Sequence, residues 1–227
     1  MAKTKTIESL FVYLDIYSNF LPIFLAFYSL TRRKSLDRGL IVIVCYCFVN
    51  FLINFLLDKE FFNGRVNYFL YASYTFFEFS FFGYFLFLII KTKKFRRLLL
   101  ITGLSFLAFL PIYDSTITAR GIDSIPIGVE TILILLFSFL YLYEQMNDTE
   151  TLFIYSKYQF WIIIGFMIYL AGSFFIYIFT NQSKEALSYW YFTNIFSIIK
   201  NLFFSVAIFV YIKEKKAANS KFHPYLN

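Results

Sequence analysis

Apolar residues along this chain fall in seven stretches, Leu10–Leu30, Gly39–Leu57, Tyr68–Ile90, Leu98–Tyr113, Ile125–Tyr143, Phe160–Thr180 and Tyr189–Ile212, with polar residues gathered between them. Runs of about 20 apolar residues match a helix crossing the ~30 Å hydrocarbon core of a bilayer. They lack the in-out alternation of a barrel strand, and an isolated strand would leave its backbone unpaired in lipid. The expected fold is therefore all-α: a polytopic membrane protein of seven transmembrane helices forming one domain over residues 1–227. The fourth stretch is the shortest and is expected to end at Pro111. The first runs past Asp15, Asn19 and Pro22 without a small-residue cleavage site, so it reads as a retained span and not a signal peptide.

Composition agrees. The 227 residues are 59% hydrophobic, 24% aromatic and 15% charged, against about 45–50% apolar and about 25% charged in soluble domains. Seven spans of about 21 residues take up most of such a chain, leaving only loops and tails and no room for a soluble enzyme or nucleic-acid-binding domain. The net charge of +7 lies between the spans. The first, third and fifth loops and the C-terminal tail hold 14 of the Lys and Arg residues, and the N-terminus and remaining loops hold 6. Positive residues stay in the cytoplasm during insertion, so the N-terminus is expected outside and the C-terminus inside. The partner implied by this charge is the lipid bilayer, not nucleic acid.

Ionisable side chains inside spans are costly and face a bundle interior, which makes them pointers to function. There are four: Asp15, Glu78, Glu130 and Lys200. Asp15 and Glu130 fall one to two turns below the outer surface, and Glu78 and Lys200 near the midplane. Polar neighbours recur at helical spacing on the same faces: Asp15, Ser18, Asn19 and Pro22; Cys47, Asn50 and Asn54; Tyr71, Tyr74 and Glu78; Tyr169 and Ser173; Asn194, Ser197, Lys200 and Asn201. The inner halves of the third and fifth spans, Phe79–Ile90 and Ile132–Tyr143, are almost wholly apolar. This distribution predicts a pocket open to the outside and sealed toward the cytoplasm. Its expected ligand-binding residues are Asp15, Asn19, Asn50, Asn54, Tyr74, Glu78, Glu130, Tyr169, Ser173, Asn194, Ser197 and Lys200. The alternative is that these groups only tie the helices together, with Glu78 and Lys200 as a direct structural ion pair. Three carboxyls against one ammonium leave two negative charges in excess, so either a carboxyl is neutral in the membrane interior or the pocket holds a cation.

Catalytic chemistry is not expected. The single histidine, His223, is in the tail, no phosphate-binding glycine loop or zinc-protease motif occurs, and Asp114 and Asp123 fall in an outer loop as turn residues. No metal site and no bound cofactor are expected. Cys45 and Cys47, two apart, point in different directions on a helix and read as packing residues.

Aligning Lys91-Thr92-Lys93-Lys94 with Lys213-Glu214-Lys215-Lys216, at an offset of 122, sets Glu78 opposite Lys200 and Phe81-Phe82 opposite Phe203-Phe204. The offset predicts a three-plus-one-plus-three layout, with parallel repeats over residues 10–97 and 125–216 and a linker helix over 98–113.

The segments Tyr74-Thr75-Phe76-Phe77-Glu78-Phe79, Phe160-Trp161-Ile162 and Asn194-Ile195-Phe196-Ser197-Ile198-Ile199-Lys200-Asn201, in a chain rich in Phe, Ile, Tyr and Lys, resemble those of uncharacterised seven-helix membrane proteins of Bacteroidota. That resemblance implies a multi-pass protein of the bacterial inner membrane. Seven helices with a lysine in the last are also similar to microbial rhodopsins, which implies retinal on Lys200 with Glu78 as counterion. However, Phe196 stands one turn before Lys200, where ion-pumping rhodopsins carry an acid. The three-one-three layout and external N-terminus resemble SWEET-type sugar transporters, although Pro22 is not followed by the Gln of their signature. The function expected is a non-enzymatic protein binding a small ligand or cation, as a receptor-like sensor acting through a membrane protein partner or as a transporter component. The competing class is a structural subunit of a larger membrane assembly.

The charge asymmetry can be checked directly. Cysteines introduced at Ser124 and Ser183 are expected to react in intact cells with impermeant thiol reagents added outside, and one at Ser35 is not. The reverse labelling would invert the topology.

Overall fold

The computed structural model describes the backbone of residues 2–31, 36–58, 64–116, 124–148, 153–180 and 191–221, and side chains over 9–31, 36–57, 73–113, 125–148, 153–176 and 191–215. The loop and tail residues Arg32, Arg33, Lys34, Ser35, Arg120, Asp123, Ser183, Lys184 and His223 lie outside these ranges, as do the side chains of Tyr71, Asp114 and Ser124.

The described chain is helical: α1 (Ala2–Ser18), α2 (Phe20–Thr31), α3 (Arg38–Asp58), α4 (Gly64–Ile89), α5 (Lys93–Thr116), α6 (Ser124–Met146), a single 3₁₀ turn (Ile154–Ser156), α7 (Tyr158–Thr180) and α8 (Tyr191–Lys221). Six helical segments are long and apolar enough to cross a membrane: Ser9–Thr31, Arg38–Leu57, Lys93–Tyr113, Ile125–Met146, Tyr158–Ile176 and Tyr191–Lys215. Within α4, the stretch with described side chains, Ser73–Ile89, is also apolar. The protein is thus a multi-pass helical membrane protein.

Two helices differ from expectation at a proline. The first span is interrupted at Asn19, because Pro22 has no N–H to give the Ser18 carbonyl and its ring crowds that carbonyl. Polar side chains take over nearby carbonyls. Asn19 Nδ2 donates to the Asp15 and Ile16 carbonyls at 3.0 and 3.3 Å, and Ser18 Oγ donates to the Asp15 carbonyl at 2.8 Å. By contrast, α5 runs through Pro111 to Thr116. There the proline removes one bond near the helix end, which a membrane helix tolerates.

Around the bundle, α1 and α2 pack on α8, α2 also on α3, α3 on α4, α4 on α6, α6 on α7, and α7 on α8. These contacts close a ring, and α5 rests outside it against α4 and α6. The interior toward the basic end is aromatic. Phe82 and Phe166 stack with centroids 4.7 Å apart, Phe85 meets Phe166 edge-on at 6.1 Å, and Phe137, Phe204 and Tyr141 complete a fully buried layer. At that same end Glu144 of α6 caps the start of α5, accepting the Lys91 and Thr92 backbone N–H groups at 3.0 Å each. Lys91 pairs with Asp148 at 2.8 Å, and the Tyr158 hydroxyl donates to Asp37.

In a bilayer the hydrophobic effect does not draw helices together, so close approach relies on small residues. Gly165 and Gly172, seven apart on α7, provide it against α8: a Cβ at Gly165 would lie 2.8 Å from Phe203 Cβ, and one at Gly172 would lie 2.6 Å from the Phe196 ring. Gly83 on α4 is a contrast, its Cβ position meeting only Phe79 at 3.9 Å. Gly165→Ala is therefore expected to destabilise the protein by about 1–3 kcal/mol through overpacking, while Gly83→Ala is neutral or gains up to about 1 kcal/mol in helix propensity. Thermal unfolding of the two variants in detergent measures the difference, and equal melting temperatures would refute the close-packing argument.

Candidate functional site

A cavity of about 260 Å³ lies among α1, α3, α4, α6, α7 and α8, toward the end of the bundle where the chain begins. Nine of the twelve residues expected from the sequence line it: Asp15, Asn54, Tyr74, Glu78, Glu130, Tyr169, Ser173, Asn194 and Ser197. The other three, Asn19, Asn50 and Lys200, are behind its wall and tied to it. Asn54 Nδ2 donates to Asn50 Oδ1 at 2.9 Å, and Asn50 Nδ2 donates to Asn19 Oδ1 at 2.9 Å. This ladder crosses from α3 to the break between α1 and α2. Asn201 Nδ2 joins α8 to the same break by donating to Ser18 Oγ at 2.7 Å.

The direct ion pair of Glu78 with Lys200 is replaced by a three-membered chain. Lys200 Nζ donates to the Tyr46 hydroxyl at 2.6 Å, and that hydroxyl donates to Glu78 Oε1 at 2.6 Å. Among the described residues the ion pairs within 4 Å are those of Asp148 with Lys91 and Lys157. The physical reason for the correction is placement: α3 packs on α4 and touches α8, so its Tyr46 stands between Glu78 and Lys200. The ammonium also sits 3.8 Å from the centroid of the Tyr169 ring, a cation–π contact that helps replace its lost hydration. Glu78 is further surrounded by the Tyr74 hydroxyl, 3.4 Å from Oε1, and the Tyr169 hydroxyl, 3.3 Å from Oε2. Those two hydroxyls are 3.1 Å apart, so three phenols from three helices converge on one carboxylate.

The two other carboxyls are less well met. Asp15 is 7% exposed, and its Oδ1 has no partner among the described residues. Glu130, 1% exposed, has its Oε1 in the same condition. Among the described residues no three His, Cys, Asp or Glu side chains gather closely enough to hold one metal ion. Cys47 is buried and Cys45 exposed, and both are free thiols.

The sequence reading missed Tyr46, along with Thr75 and Thr193 on the cavity wall. A signal for Tyr46 was present, since it lies one turn before Asn50 and two before Asn54 on one helix face. In a chain with 19 tyrosines that spacing is easily overlooked. The chain matches no protein-family model, and comparison with curated proteins and with solved structures finds no match.

The bridging role of Tyr46 gives a coupling test. Glu78→Gln and Lys200→Met are each expected to destabilise the protein by about 3–5 kcal/mol, because each leaves a buried charge uncompensated. Their combination should cost clearly less than the sum. In a Tyr46→Phe background, itself about 1–3 kcal/mol less stable, the coupling should shrink. Strict additivity in both backgrounds, measured by thermal unfolding, would show that the chain does not act as a unit.

Proposed function

We propose that this protein is a seven-span protein of the bacterial inner membrane, N-terminus outside and C-terminus inside, whose pocket opens outward and binds a small ligand or cation. It acts as a receptor-like sensor or as a transporter component, without catalysis. The observation that carries this reading is the cavity itself: six helical elements separated in sequence direct polar side chains into one space, while the opposite half of the bundle is filled by aromatic rings. Mere helix-to-helix adhesion does not require that space. A concave site with a few convergent polar groups is the usual form of a small-molecule site.

The three-plus-one-plus-three layout draws support from the pattern of neighbours. Exchanging α1/α2, α3 and α4 for α6, α7 and α8 turns the α3–α4 contact into α7–α8, the α2–α3 contact into α6–α7, and the α4–α6 contact into α8–α1. Every one of these contacts is present, and α5 stays outside as the linker. Such a pseudo-twofold arrangement, with a site at the repeat interface, is common in transporters. Retinal on Lys200 fits less well, because the ammonium is fully buried, held by Tyr46 and Tyr169, and absent from the cavity wall.

The pocket is tested in a background lacking Cys45 and Cys47. Asn194→Cys, on the cavity wall, is expected to react with an impermeant thiol reagent added outside, whereas Ala207→Cys, fully buried among the aromatic layer, does not. Protection of residue 194 would remove the outward pocket. In mild detergent the chain is expected to purify as a single monodisperse species, and a partner retained in fixed ratio would make it a subunit of a larger assembly.

A further inference from the structure

Resting on the pocket reading, we propose that the occupant is a small aliphatic ammonium ion, with Glu130 and Asp15 as its counter-charges. The argument begins with charge. Lys200 and Glu78 satisfy each other through Tyr46, and Glu78 has the Tyr74 and Tyr169 hydroxyls besides. Glu130 and Asp15 remain, both on the cavity wall and both more than nine-tenths buried. Each has a carboxyl oxygen with no hydrogen-bond partner among the described residues. A buried acceptor without a donor is costly, and more so when it carries charge. The carboxyl groups that carry these oxygens line the cavity, and a cationic donor held there would compensate their charge.

The remainder of the wall selects which cation. Anions are disfavoured by three carboxyl side chains on the wall, and Lys200, the one buried ammonium among the described residues, is not part of it. A metal ion lacks a convergent set of ligands among the described residues. The volume of about 260 Å³ is also several times the roughly 30 Å³ occupied by a water molecule, far more than one bare ion fills. Val12, Ile16, Leu57, Ile127 and Leu170 give the wall an apolar part, which hydrocarbon covers and a hydrated ion does not need. The Thr75, Ser173 and Thr193 hydroxyls offer acceptors for the other N–H groups. The cavity is below the about 300–1,000 Å³ of drug-sized pockets, which sets the ligand at the scale of a simple mono- or diamine.

The test uses the purified full chain in detergent with 1-aminobutane, 1,4-diaminobutane, 1-butanol, butyrate and sodium chloride as probes. Both amines are expected to raise the unfolding temperature saturably, and the neutral alcohol, the anion and sodium are not. Glu130→Gln and Asp15→Asn, close to isosteric, should each weaken amine binding about 10–100-fold, the loss of one charge-assisted hydrogen bond. As a readout independent of those variants, 1,4-diaminobutane should slow labelling of Asn194→Cys, and 1-butanol should not. An equal response to the alcohol or to butyrate would overturn the ammonium assignment, as would amine binding unchanged in both carboxamide variants or no response to any probe. The pocket reading is decided separately by whether Asn194→Cys is labelled without ligand.

Discussion

An ammonium with no exposed surface must have its charge met inside the protein, and Lys200 is 0% exposed. Moving such an ion out of water costs several kcal/mol, recovered only when the geometry around it is good. Here the geometry is built from four helices. Lys200 comes from α8, the bridging Tyr46 from α3, Glu78 from α4, and the Tyr169 ring from α7. Displacing α3, α4 or α8 by an ångström would break a hydrogen bond of 2.6 Å, and displacing α7 would pull the Tyr169 ring from the ammonium. The rest of the bundle can be understood as what holds that arrangement in register.

The aromatic layer has this role on one side. The Tyr46 ring lies 4.7 Å from Phe82 and meets Phe204 edge-on at 6.2 Å, so the side chain carrying the bridging hydroxyl is itself packed from α4 and α8. Phe82 is in turn stacked on Phe166 of α7. The two glycines of α7 let α8 approach closely enough for Lys200 to reach Tyr169 and Tyr46 together. On the other side lies the interrupted first span. Its break at Asn19 opens backbone carbonyls inside the bundle, which is tolerated because Asn19 and Ser18 pair with them and Asn50 and Asn201 reach across from α3 and α8. Between rigid aromatic packing and a polar break, the cavity is the space that neither fills.

How much of this was legible in the sequence depends on the kind of physics involved. The helices, their apolar character and the four intramembrane ionisable residues follow from hydropathy and spacing alone, because the bilayer imposes the same cost on each segment whatever its neighbours. Helical periodicity likewise put Asn50 with Asn54, and Asn194 with Ser197, on shared faces, and both pairs are at the site. Side-chain partners were less legible. Glu78 and Lys200 belong together, as the sequence suggested, but the atom joining them belongs to a third helix. Gly165 and Gly172 show the same limit. Their spacing of seven marks a common face, yet only the neighbouring Phe196 and Phe203 of α8 show that this face is the closest contact.

The sequence by itself determined that this is a helical membrane protein with charged groups where lipid cannot tolerate them, since transfer free energy is summed residue by residue along each segment. Tertiary structure alone decided how those groups are shared. It placed a phenol between the lysine and the glutamate, left Glu130 and Asp15 on the wall of a cavity, and sealed the floor with rings drawn from four helices. A hydrogen bond depends on distance and direction at the scale of tenths of an ångström. That precision comes from packing between helices, where residues 46, 78 and 200 meet although more than 30 positions separate each from the next.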